Sequence, residues 1–172
     1  MKWFTKRALL TSNENMYPAL SKVLVDFIDK LESEGKLKLW YTSLKNDDGK
    51  PSFRVYLQVE DDDEGYTQSK FQAFMEKNQA ELGWTGQFTG PNVPNSIPRL
   101  REINKACELV LSITKQFPEP DRKGNSKFQS EIKAGVIRII DSVPHENRPE
   151  FIHFIANNLG VTDKLLIKLL QA

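Results

Sequence analysis

The sequence predicts an α+β protein: an antiparallel sheet of ferredoxin-like, split βαβ character, followed by a helical C-terminal half. Three observations predict it. The stretch GKPSFRVYLQV, residues 49–59, sets Phe53, Val55, Leu57 and Val59 against Arg54, Tyr56 and Gln58, the period-2 pattern of a strand. Upstream, Leu20, Leu24, Phe27, Ile28 and Leu31 fall at helical spacing. Beyond residue 98 the apolar residues recur only at helical spacing. A chain of 172 residues is one large domain or two small ones. The reading adopted is a single α+β domain over 1–172, with a sheet-containing half at 1–90 and a helical half at 98–172.

The elements follow in order. Residues 2–10, led by Trp3 and Phe4, predict a first strand. TSNEN at 11–15 is cap and turn chemistry. A helix runs from Tyr17 and Pro18 to about Glu34, and Gly35 stops it. KLKLWYTSLK at 36–45 predicts the second strand, and Asp48-Gly49 signals a hairpin into the third. Tyr66 to Leu82 carries Phe71, Phe74, Met75 and Leu82 on one helical side. If WTGQF at 84–88 is a short strand, the order is β-α-β-β-α-β. GWTGQFTGPNVPNSIP, residues 83–98, is otherwise a long irregular piece, a functional loop or a packed surface crossing. Helices are then expected at 99–117 and 126–142. Asn147, with Glu150 and Pro149, reads as the cap of a helix that ends at Gly160, and Thr162 as the cap of a last short one.

Composition excludes several classes. The net charge of +1 gives no basic excess for nucleic acid or an anionic membrane. A hydrophobic share of 39% with 27% charged residues argues against disorder. The single cysteine, Cys107, rules out an internal disulfide and is expected to be buried on a helix. With no secretion signal and no membrane span, a cytoplasmic protein is expected.

Chemical motifs are sparse. Glu60-Asp61-Asp62-Asp63-Glu64 lacks the frame of a calcium loop and reads as a solvated turn before a helix N-terminus. His145 and His153 are eight apart and have no cysteine partners, so neither a metal nor any other cofactor is expected. GWTG is too short for a phosphate loop and lacks its lysine. The third strand lacks the glycine–aromatic pattern of RNA-recognition domains.

Trp3, LWYTSLK, PSFRVYL and HFIANNLG stand in an order that resembles the thiopeptide-type biosynthesis domain, also the C-terminal elimination domain of lanthipeptide dehydratases. Pro51, Phe53 and Arg54 match its third-strand pattern, and His153 and Asn157 its late helix. Ser52 and Tyr56 replace a histidine and an arginine; Ile155 and Asn158 replace another such pair. The second-strand arginine is absent, with Leu44 or Lys45 in its place. The resemblance implies a peptide as partner. It implies Arg54 as anion stabiliser and His153 as base for a lyase or cyclase step, if one survives. Tyr56, Trp84 and Asn157 would contact the substrate. The expected function is a peptide-binding or accessory protein of ribosomal peptide modification, a reduced relative of that domain. The alternative is a non-catalytic interaction domain of another pathway.

Overall fold

The computed structural model describes residues 1–12, 14, 16–47, 49–89, 100–118, 122 and 124–171, and their side chains except those of 45–47 and 85–89. The chain divides into two compact units, Met1–Pro98 and Arg99–Ala172.

The first unit is built on four strands: β1 (Lys2–Leu10), β2 (Leu39–Asp47), β3 (Lys50–Val59) and β4 (Trp84–Thr89). Their order is β2-β3-β1-β4, and every neighbouring pair is antiparallel. Asp47 pairs with Lys50, so β2 and β3 are joined by a two-residue connection. Gly49 adopts φ +79° there, a conformation that glycine enters without steric cost.

One face of this sheet is apolar core. Phe53, Val55, Leu57 and Val59 are fully buried, as their alternation predicts, with Phe4, Ala8, Trp40 and Leu44 beside them. Over them lies a helical run of α1 (Met16–Lys22), a π-helical segment (Val23–Ile28) and α2 (Asp29–Ser33). Its stripe from Leu20 to Leu31 is buried. Helix α3 (Glu64–Leu82) packs the same core through Phe71, which meets Phe4 and Phe27 edge-on at 5.8 and 5.4 Å. Gly83, left-handed at φ +61°, ends α3 and turns the chain into β4. The irregular piece expected at 83–98 is thus a strand up to Thr89; residues 90–98 lie outside the described residues.

The second unit is helical: α4 (Leu100–Gln116), α5 (Ser126–Ile140), α6 (Arg148–Leu159) and α7 (Asp163–Gln171). Cys107 is buried on α4. Asn125 caps α5 by accepting from the Lys127 and Phe128 amides. Thr162 caps α7 through the Leu165 amide, as expected. Asn147 does not cap α6. A 3-10 turn at His145–Asn147 leads straight into the helix, and Asn147 already has helical backbone angles, so its side chain makes no cap bond. Between α4 and α5, Arg122 is buried. Its Nε–H donates to the Phe117 carbonyl and a terminal N–H to the Leu159 carbonyl, both at 2.8 Å, with Phe128 5.6 Å beneath it. No described helix is long and apolar enough to cross a membrane.

Candidate functional site

The second face of the sheet carries two of the candidates, Arg54 and Tyr56. Strand pairing sets Ser43, Arg54 and Arg7 side by side across β2, β3 and β1. The row one pleat along holds Tyr41, Tyr56 and Thr5. Tyr41 and Tyr56 stack at 4.2 Å between ring centres, and Trp3 meets Tyr41 edge-on at 6.2 Å. Like charges directly opposite each other normally destabilise a strand pair. Arg7 and Arg54 are nevertheless Cα partners, and the Nε atoms of both are buried. Each arginine makes further interactions with its surroundings. The result is a guanidinium row flanked by an aromatic patch, which suits a planar anionic group with an apolar neighbour.

The other candidates lie elsewhere. Trp84 belongs to the core rather than to a binding face. It is 4% exposed, its indole N–H donates to the Met75 carbonyl at 2.9 Å, and it packs on Phe53 and Phe74. The cause is β4 itself, which pairs Trp84 with Leu10 and directs the ring under α3. Tyr56 is 7% exposed, with Tyr41 stacked on its ring. His153 and Asn157 share α6 in the second unit, one turn apart. The His153 ring is exposed, and its Nδ1 lies 2.8 Å from Asp163 Oδ2 at the start of α7. That contact engages one ring nitrogen of a side chain that is otherwise mostly exposed. The structure therefore gathers Arg54 with Tyr56 on one sheet face and His153 with Asn157 on one helix, in different units.

Arg7, Tyr41 and Asp163 belong to these clusters and escaped the sequence reading. Arg7 had a local signal, because Trp3, Thr5 and Arg7 alternate with Phe4 and Ala8. Only the strand order sets it beside Arg54.

The acidic run is occupied by cations of its own unit. Lys36 bonds Asp63 at 2.7 Å, Lys2 bonds Glu64 at 2.9 Å, and Lys38 lies 3.4 Å from Glu60. The hydrogen bond to Asp63 raises the Lys36 pKa above the ordinary lysine range, and that to Glu64 does the same for Lys2. Among the described residues no three His, Cys, Asp or Glu side chains are grouped to hold a metal ion. On the helical side of the first unit, Lys30, Lys70 and Lys77 rim a groove of about 230 Å³ floored by Phe27, Leu31 and Phe74. No family model matches the sequence, and neither a curated protein nor a solved structure matches it.

Proposed function

We propose that this chain is a peptide-binding protein, an accessory component of ribosomal peptide modification and a reduced relative of the dehydratase elimination domain. The observation that carries this reading is the pairing of Arg54 with Arg7 beside the stacked Tyr41 and Tyr56. Two adjacent guanidinium groups favour an acidic peptide group, and the tyrosines favour an apolar or aromatic neighbour. The all-antiparallel order β2-β3-β1-β4, with helices on one face, supports a ferredoxin-like reading of the first unit. A buried cysteine and a near-neutral charge are consistent with a cytoplasmic protein.

Binding is favoured over turnover. Proton abstraction beside a carbonyl needs a base and an oxyanion stabiliser in a site that excludes water. The His153 side chain is 68% exposed. A purely interacting role outside that pathway is the second reading, favoured by the exposed Ile167 on α7. Gene neighbourhood separates the two: a precursor peptide and a dehydratase alongside support the first.

The direct test is a peptide-array screen followed by anisotropy titration of the best binder. Arg54→Ala should weaken binding by about tenfold or more, the worth of one lost charge-assisted contact, while the melting temperature stays close to that of the parent. Unchanged peptide affinity with a stability loss of several kcal/mol would mark Arg54 as a structural side chain and end the proposal.

A further inference from the structure

Helix α7 has more apolar surface than its own unit covers. DKLLIKLLQ contains Leu165, Leu166, Ile167, Leu169 and Leu170, yet only Leu166 is buried. Ile167 is 42% exposed, and Ile137 on α5 is 40% exposed. These are two of the four large hydrophobic residues exposed among the described residues. Both line the same groove of about 440 Å³, which runs between α5, the start of α6 and α7. Its walls are completed by Ile140, Ile152 and Leu170. Scattered exposed isoleucines need no explanation; these two converge on one concave apolar patch.

The rim decides the occupant. Asp141 and Arg148 both line the groove, and neither is in an ion pair among the described residues. Arg148 donates its Nε–H to the Val143 carbonyl at 3.2 Å, and its terminal nitrogens have no partner among the described residues. A two-fold interface presents the same patch twice, so the patch must be complementary to itself. A rim of one sign would repel its own copy. A rim with one carboxylate and one guanidinium on an aliphatic floor attracts it.

We propose that this face docks a second copy of the chain. In the two-fold dimer, Ile167 of each copy seats in the groove of the other. Asp141 of each copy faces Arg148 of the other. The groove has ten lining residues, against the roughly 20–30 that each side contributes to a standard interface. The dimer is therefore weak and concentration-dependent.

Sedimentation equilibrium on the whole chain, from micromolar to millimolar, tests this. The expected result is a reversible monomer–dimer equilibrium that Ile167→Glu weakens by at least about tenfold. Asp141→Arg and Arg148→Asp should each be monomeric over most of the range, through like-charge pairs at both ends. Mixed in equal amounts they should dimerise again, because the mixed dimer restores both opposite-charge pairs. Circular dichroism melts confirm that each variant is folded. If Arg148→Asp unfolds through loss of the Val143 bond, Ile167→Glu and Asp141→Arg carry the test, and both must weaken the dimer. A chain that stays monomeric to millimolar concentration overturns the proposal. So does a dimer indifferent to Ile167→Glu, or a mixture that associates no better than its components. Monomeric chain that takes an apolar peptide or small amphiphile into the groove would assign the face to that occupant instead.

Discussion

Replacing Arg122 by methionine should be among the most damaging single changes in the helical unit. Arg122 is 8% exposed and donates two hydrogen bonds of 2.8 Å to the Phe117 and Leu159 carbonyls. These carbonyls stand at the C-terminal ends of α4 and α6, where helix dipoles favour a cation. A hydrogen bond to a charged group contributes about 1.5–3 kcal/mol, so two contribute roughly 3–6 kcal/mol. Burying the guanidinium costs part of this, while methionine also gives up the guanidinium carbon that lies 5.6 Å over the Phe128 ring. The net loss expected for Arg122→Met is about 3–4 kcal/mol. In a unit of this size that lowers the melting temperature by roughly 12–30 °C. Arg122→Lys has a point charge in place of a fork and keeps only one of the two bonds, so it should lose about half as much. Urea titration followed by far-UV circular dichroism reads both. If both variants lie within about 0.5 kcal/mol of the parent, the size of an ordinary surface substitution, the two-carbonyl account is wrong.

Trp84→Ala should cost about 3–5 kcal/mol, the usual loss for a buried tryptophan, whereas Trp84→Phe should cost about 1–2 kcal/mol because it forfeits mainly the bond to Met75. An alanine variant that melts normally but loses peptide affinity would return Trp84 to the list of binding residues. Lys36→Met should be less stable than the parent at neutral pH. Because the folded-state pKa of Lys36 is raised, that difference should persist below the ordinary lysine pKa and fade as pH climbs through the raised value. Urea midpoints of the pair at stepped alkaline pH check this, and a gap that widens with pH contradicts it.

What the sequence displayed is what local periodicity encodes. Period-2 alternation marked Phe53 to Val59 as core, and helical spacing marked Leu20 to Leu31; both sets are buried. Contacts that depend on chain closure were not displayed. Arg122 sits in EPDRKGN, which reads as a charged loop, and one of its acceptors is 37 residues away. Arg7 becomes a neighbour of Arg54 only through the strand order. Trp84 lies in a stretch rich in glycine and proline, so its burial depends on a strand pairing that composition obscures. Asn147 had the right residues for a cap but not the backbone angles, which are set by the preceding 3-10 turn.

The sheet order also sets a timetable. The central strand β1 pairs with β3 and β4 but not with β2, so its nearest partner in sequence begins forty residues after it ends, at Lys50. Closing so long a loop costs entropy before any ladder bond repays it. The helices α4–α7 need no such closure to form their own hydrogen bonds. The sheet unit emerges first during synthesis and should nonetheless mature more slowly than the helices that follow it. All three tryptophans, Trp3, Trp40 and Trp84, lie in the sheet unit. Refolding followed by tryptophan fluorescence should therefore lag the early part of refolding followed by helical circular dichroism, to which the helices of both units contribute, which makes fluorescence a clock for the sheet unit alone.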